Sequence, residues 1–280
     1  MTEKIAYQGH PGAYSDLACR KARPDLLPLS CPTFGEAMTA VTDGRAAYAM
    51  IPIDNVLAGR VADIHRLLPQ KKLKIVGEHF LPVRHCLLGT ADADMNNITE
   101  IYSHIHALPQ CEKLINTLGA KPVVYGDTAL SAKYIAEQNN PQLAAIASTA
   151  AAEHYGLTIL AHDVQDHAHN VTRFLILAKT ADAPEYTPDG RYVTSLLFRL
   201  RSLPAVLYKC LGGFATNSIN LTKLESYMVD GDFNAAQFYC DVEAHKDDPR
   251  MAFALEELAF YTDSIEIFGT YAAHPYRFAG

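Results

Sequence analysis

The stretch Thr180-Ala181-Asp182-Ala183-Pro184-Glu185-Tyr186-Thr187-Pro188-Asp189-Gly190 holds two prolines, a glycine and three acids and breaks every hydrophobic periodicity, so it reads as a linker. It divides the 280 residues into two parts with different rhythms. Before it, short apolar runs alternate with helical patterns, starting with Lys4-Ile5-Ala6-Tyr7-Gln8 and a helix over 15–22. Further strands are predicted at 47–53, 85–89, 98–102, 122–125, 143–147 and 173–177, and helices at 33–42, 107–118, 128–138 and 149–155. Gly119 and Gly156 stand where C-cap glycines belong. After the linker the order is strand 192–200, helix 204–216, strands 219–227 and 235–244, helix 249–261 and strand 264–271, with Pro204 and Pro249 near helix starts. That β-α-β-β-α-β succession is the ferredoxin-like pattern.

Composition narrows the function classes. Hydrophobic residues at 49% and charged residues at 20% supply a real core and exclude a disordered chain. Net charge is −7, the pI is 5.9 and the densest basic cluster is Lys71-Lys72, so a nucleic-acid partner is not expected. No apolar run approaches the ~18 residues of a membrane span, and Met1-Thr2-Glu3-Lys4 leads straight into Ile5 without a signal-like segment, which predicts a cytoplasmic protein with no membrane partner. Cys19, Cys31, Cys86, Cys111, Cys210 and Cys240 are scattered without C-x-x-C spacing and read as buried free thiols rather than a disulfide or zinc framework.

Four segments carry chemistry. Gly9-His10-Pro11-Gly12-Ala13-Tyr14-Ser15 joins a strand to a helix; its plain reading is a tight turn with Ser15 as N-cap, its functional one a cradle for a carboxylate or phosphate. Ile51-Pro52-Ile53-Asp54-Asn55 puts Asp54 and Asn55 at the carboxyl edge of a buried strand, where α/β sheets keep ligands, although Asp-Asn after a strand is also an ordinary turn. His104 and His106, two apart, do not share a helix face, and His162, His167 and His169 lack partners at helical spacing, so no metal is expected. Asn170-Val171-Thr172-Arg173-Phe174 enters the last strand of the first part; its plain reading is alternation with an exposed Arg, its functional one a neutral hydroxyl donor beside the side chain suited to a carboxylate fork.

Taken together these segments resemble prephenate dehydratases with a C-terminal ACT domain. The match runs through Gly-x-x-Gly-x-Tyr-Ser, Pro-Ile-Asp-Asn where the family usually has Pro-Ile-Glu-Asn-Ser, and Ser-His-x-x-Ala-Leu-x-Gln-Cys. It continues through Asp127-Thr128-Ala129, Ile146-Ala147-Ser148, Thr172-Arg173-Phe174 and Ile219 to Ser226. The resemblance implies an α/β protein: a catalytic domain over 1–180 in two periplasmic-binding-protein-like subdomains (1–80 with 163–180, and 81–162), a linker over 181–191 and a regulatory ACT domain over 192–280. It implies conversion of prephenate to phenylpyruvate, carbon dioxide and water in phenylalanine biosynthesis, without a cofactor. Thr172 would meet the departing ring hydroxyl as acid or as hydrogen-bond donor, Arg173 would hold substrate carboxylate, and Phe174 would shape the pocket. Asn55, His104 and Gln110 match positions that influence catalysis, and Ser15, Ser103, Thr128, Ser148 and Thr149 look like substrate-cradling hydroxyls. Arogenate dehydration on the same fold, and a non-enzymatic amino-acid sensor, are the alternatives. A cationic arogenate ammonium would favour a cleft carboxylate, for which Asp54 and Asp127 are the residues to watch.

An aromatic amino-acid effector would occupy the ACT part through Ala205, Val206, Leu207, Asn220, Leu221, Glu225 and Ser226. Here the chain departs from the family: Gly-Ala-Leu becomes Ala205-Val206-Leu207, and Glu-Ser-Arg-Pro becomes Glu225-Ser226-Tyr227-Met228, which predicts binding with weak or atypical inhibition. The resemblance also implies a homodimer or homotetramer.

Overall fold

The computed structural model of the chain describes residues 3–61, 64–229 and 232–279; Met1, Thr2 and Gly280, at the ends of the expected domains, lie outside the described residues. The chain begins β1 (Lys4–Gln8), α1 (Tyr14–Ala22), β2 (Leu27–Cys31), α2 (Phe34–Thr42), β3 (Tyr48–Asn55), β4 (Gly59–Arg60), α3 (Ile64–Lys71) and β5 (Lys74–Pro82). It continues β6 (Cys86–Gly89), β7 (Glu100–Ser103), α4 (Glu112–Leu118), β8 (Lys121–Val124), α5 (Thr128–Gln138), β9 (Leu143–Ala147), α6 (Thr149–Tyr155), β10 (Thr158–Ala161) and β11 (Val171–Ala178). The last part is β12 (Tyr192–Leu200), α7 (Val206–Thr216), β13 (Leu221–Val229), β14 (Asp232–Val242), α8 (Pro249–Tyr261) and β15 (Thr262–Ala272).

Two compact units result: Met1–Asp63 with His79–Leu175, and Ile64–Glu78 with Ile176–Gly280. One sheet has the order β2-β1-β3-β11-β5 with β4 on β3, and a second the order β10-β6-β9-β7-β8. The second sheet explains its own sequence. Ala145 and Ala147 of β9 face α5 and α6 with Ala129, Ala132 and Ile135, while Ala144 and Ile146 face the other way onto Leu108, Cys111 and Ile115. A strand buried on both faces has no use for alternation, so it reads as one apolar run. Asp127 caps α5 by accepting from Leu130 N, Ser148 caps α6 by accepting from Ala151 N, and Gly119 and Gly156 end their helices at φ +62° and +68°, in the predicted positions. All six cysteines are buried free thiols. No helix among the described residues is long and apolar enough to cross a membrane.

In the second unit the sheet order β13-β14-β12-β15 is antiparallel, with α7 and α8 closing one face over Leu196, Phe198, Phe214, Met251 and Leu258. This is the ferredoxin-like arrangement read from the sequence. Residues 64–78, which the sequence places with the first domain, group instead with this unit. Three contacts account for it. Lys74 Nζ donates to Ile267 O at 3.1 Å, and Arg277 forks Glu78 through Nε at 2.6 Å and Nη2 at 2.9 Å. Gly269 lies so close that a Cβ there would sit 1.9 Å from Ile75 O.

Ala205, the residue before α7, stands at φ +56°, where an L side chain is strained and glycine is not. Its methyl group is exposed, so nothing in the packing repays the strain. Ala205→Gly is therefore expected to stabilise the protein by about 0.5–1 kcal/mol, the relief of left-handed strain exceeding the added chain entropy. A thermal melt showing no increase would contradict it.

Candidate active site

A cavity of about 630 Å³ opens in the first unit, walled by the ends of its parallel strands and the loops that follow them. Tyr14 and Ser15 reach it from the loop after β1, Asn55 from the end of β3, and Arg60 from β4, which runs back antiparallel so that Arg60 stands opposite Asp54. His85, His104, Gln110, Asp127 and Thr128 line it from the second sheet and its connections, and Asn170, Thr172 and Phe174 from β11 and its approach. The loop after β1 is held against α6: Ser148 Oγ donates to Gly12 O at 2.6 Å and Gly12 N donates to Asp16 Oδ2 at 2.8 Å. Gly12 adopts φ +84°, and a Cβ there would meet Ala151 Cα at 2.7 Å, so glycine is required twice over.

The polar groups behind the cavity form a chain whose direction is fixed at one end. Asn55 Oδ1 accepts from the backbone N–H groups of Leu57 at 3.0 Å and Ala58 at 2.8 Å. Those donors cannot turn round, so the Asn55 amide must point its nitrogen the other way, donating to Asn170 Oδ1 at 2.8 Å and to Thr172 Oγ1 at 2.9 Å. Asn170 in turn donates to Gln110 Oε1 at 2.5 Å. Thr172 Oγ1 is thus an acceptor inside the protein, and its hydroxyl hydrogen has no protein acceptor among the described residues. Gln110 Nε2 likewise has no protein partner among them. Both surplus donors belong to residues that line the cavity.

Of the titratable groups around it, His85 and His104 are pushed toward the neutral form and Asp127 is paired, while Arg60 supplies a cation. Burial pushes His85 down to about 4, leaving a neutral imidazole between Tyr14 Oη at 2.8 Å and Gln110 Oε1 at 3.3 Å. Burial, followed by the neighbouring His106, lowers His104, and burial raises the Tyr14 phenol. Asp127 accepts from Leu130 N at 2.7 Å and meets His10 Nδ1 at 2.7 Å.

Of the residues singled out in the sequence, Ser15, Asn55, His104, Gln110, Thr128, Thr172 and Phe174 line this cavity. Four do not. Successive residues of a strand point to opposite sides; with Thr172 and Phe174 turned to the cavity, Arg173 is turned away, buried, with Nη1 at 3.8 Å from Asp54 Oδ2. Ser103 is fully buried and donates to Ile146 O at 2.6 Å; Ser148 is committed to Gly12 O and the α6 cap, and Thr149 is exposed on α6 outside the lining. Residues not singled out for a role but found here are Tyr14, Arg60, His85 and Asn170. A polar residue at the edge of an apolar strand was the available signal for His85 and Asn170.

The proposed effector positions fall in three settings. Val206 and Leu207 pack against the helix-covered core, as does Leu221. Asn220 donates to Glu243 Oε2 at 2.7 Å, and Glu225 is held by Lys223 and by the Tyr227 hydroxyl on the same strand. Ala205 and Ser226 are exposed.

Comparison with known proteins gives one answer. The prephenate dehydratase family model matches residues 5–182. A bifunctional N-acyl-homoserine lactone acylase/prephenate dehydratase of Komagataeibacter europaeus is 49% identical over 273 residues, covering 98% of this chain and 97% of the relative. The chloroplastic arogenate dehydratase/prephenate dehydratase 1 of Arabidopsis thaliana is 40% identical, covering 96% of this chain and 71% of that protein. Among solved structures, the prephenate dehydratase of Arthrobacter aurescens in complex with L-Phe superposes with a TM-score of 0.88 at 28% identity, over 96% of this chain and 90% of the other. With the family model spanning every cavity-lining residue and relatives matching nearly end to end, the chain belongs to the prephenate dehydratase family.

Proposed function

We propose that prephenate binds in this cavity and that Thr172 is the hydrogen-bond donor to its departing ring hydroxyl. The observation that carries this is the orientation of Asn55: by donating to Thr172 Oγ1 it leaves the threonine hydrogen free to point into the cavity that Thr172 lines. The reaction breaks the bond from the ring to one carboxylate, releases carbon dioxide, and sends that electron pair into the ring as the C–O bond opposite breaks. Charge builds on the leaving oxygen, so a fixed donor there lowers the barrier. Among the described residues no base touches Thr172 Oγ1 to exchange its proton, which favours hydrogen-bond donation over full proton transfer.

Substrate charge is met by Arg60 in the cavity wall and by the first turns of α1 and α5 at Ser15 and Thr128. Arg173 acts on this site through Asp54, whose carboxylate it faces, in place of the direct substrate contact read from the sequence. The carboxylates also favour prephenate over arogenate. Asp127 is engaged by His10 and the α5 backbone, and Asp54 lies outside the lining, so among the described residues no uncommitted carboxylate awaits an ammonium group. Incubating the purified protein with prephenate and with arogenate, and following phenylpyruvate and phenylalanine separately, tests the reading; faster turnover of arogenate would overturn it. The same preparation is assayed against an N-acyl-homoserine lactone, the activity in the name of the Komagataeibacter relative.

The ferredoxin-like unit we read as an ACT domain with an aromatic amino-acid site, in a homodimer or homotetramer. Support comes from its strand order and from the L-Phe complex of the Arthrobacter relative. Because Tyr227 occupies Glu225, phenylalanine is expected to bind while inhibiting less than about fivefold, the low edge of ordinary allosteric coupling. Calorimetry paired with activity at saturating phenylalanine checks both halves; strong inhibition would show that Tyr227 leaves coupling intact.

A further inference from the structure

We propose that His85, backed by Tyr14, is a positioning residue for the dehydration: as the Nε2–H tautomer it holds Gln110 so that the amide nitrogen faces the substrate. The proposal rests on the cavity being the dehydratase site. Its starting point is the direction of the hydrogen-bond chain. Asn55 is locked by two backbone donors, Asn170 is locked by Asn55, and Gln110 must therefore present Oε1 to Asn170 Nδ2. A reversed Gln110 would set two amide nitrogens 2.5 Å apart.

With Oε1 pointing inward, the only compatible partner for it at His85 is a protonated Nε2, 3.3 Å away. Nδ1 then has a lone pair 2.8 Å from Tyr14 Oη, and the single phenol hydrogen, which donates to Arg84 O at 2.8 Å, is shared between that carbonyl and Nδ1, with the phenol ring edge-on to the imidazole. His85 as a residue is only 2% exposed, and its backbone N–H is tied to Gln165 Oε1, so the side chain has little room to swing. Two acceptor positions on Gln110 Oε1 are filled by Asn170 and His85, leaving its amide plane no freedom. Its two N–H groups stand ready for substrate without reorganisation, which is what a transition-state donor requires.

The test combines kinetics with a tautomer measurement. His85→Leu is expected to lower kcat about 10- to 100-fold with KM changed less than about threefold, the scale of losing a supporting contact. His85→Gln, whose amide nitrogen falls near Nε2, recovers most of that loss. In a Gln110→Ala background His85→Leu costs less than about twofold more, because both changes break one unit. Long-range proton–nitrogen NMR of the wild type should show a neutral Nε2–H ring, and Tyr14→Phe should lower kcat about three- to tenfold as the ring loses its Nδ1 donor. Equal losses in the Leu and Gln variants, additive effects with Gln110→Ala, or an Nδ1–H ring would each overturn the proposal. Should His85→Leu fail to fold, the tautomer and the Tyr14→Phe result still decide it. Absence of prephenate turnover in the wild type would instead overturn the dehydratase assignment of the cavity, while the tautomer would still report on the chain.

Discussion

Thr172→Ala lowers kcat for prephenate about 10²- to 10³-fold, the usual loss on removing one transition-state donor, while KM changes little because the hydroxyl meets charge that exists mainly in the transition state. The fold survives. Thr172 is a strand residue and alanine keeps the backbone ladder; what is lost is one acceptor for Asn55, whose nitrogen still donates to Asn170. That change removes about 1 kcal/mol of stability, the size of one ordinary hydrogen bond. Thr172→Ser, which keeps the hydroxyl, should stay within about tenfold of wild type, limited by the extra rotamer freedom of an unbranched side chain. Steady-state kinetics with circular dichroism melts on both variants make the check. A loss below tenfold in the alanine variant, or equal losses in the two, would mean that the leaving oxygen is met by another group.

How much of this was legible in the sequence depends on how far away each answer lies. Helices α5 and α6 were readable to the residue, since Asp127, Ser148 and Gly156 cap them locally. Strand β2 was missed because Pro28 sits inside it, tolerated only because β2 lies at the sheet edge. Pro69 likewise hid α3. The grouping of residues 64–78 with the C-terminal unit turns on the approach of Gly269 to Ile75, invisible along the chain.

In the site, the motifs led to Thr172, Asn55 and Gln110, yet they do not tell a substrate hydroxyl from a structural one. Ser103 is satisfied by a carbonyl 43 residues away and Ser148 by one 136 residues away. Buried hydroxyls find such partners as a rule, and only the fold names them. Arg173 is the sharper lesson. Strand alternation puts it on the other face of β11 from Thr172 and Phe174, in keeping with its absence from the cavity lining. The family pattern was stronger evidence for the motif than for the direction of each side chain within it.

Asn55→Asp tests the direction of the hydrogen-bond chain itself, and its effect should equal or exceed that of Thr172→Ala. The replacement is isosteric, and one carboxylate oxygen keeps the Leu57 and Ala58 donors. The other oxygen then faces Asn170 Oδ1 and Thr172 Oγ1, two atoms that had been accepting from the amide nitrogen. The cheapest repair is for the Thr172 hydroxyl to donate to the new carboxylate, which withdraws it from the substrate. A second penalty comes from negative charge placed beside a cavity that must admit a dianion. Together these predict a loss in kcat/KM of about 10³-fold or more at neutral pH. The site is nearly closed to water, with 9% of Asn55 exposed, so burial and the facing acceptors raise the new carboxyl above its ordinary value. When protonated, it regains a donor and loses its charge. The sign follows: relative to wild type, the variant should recover activity as pH falls from about 8 to about 5, whereas Asn55→Ala should show a constant deficit. Measuring kcat/KM for all three across that range decides it. Parallel profiles for the aspartate and alanine variants would show that Asn55 supports Thr172 by packing alone, and that the threonine hydrogen is directed by something other than the amide behind it.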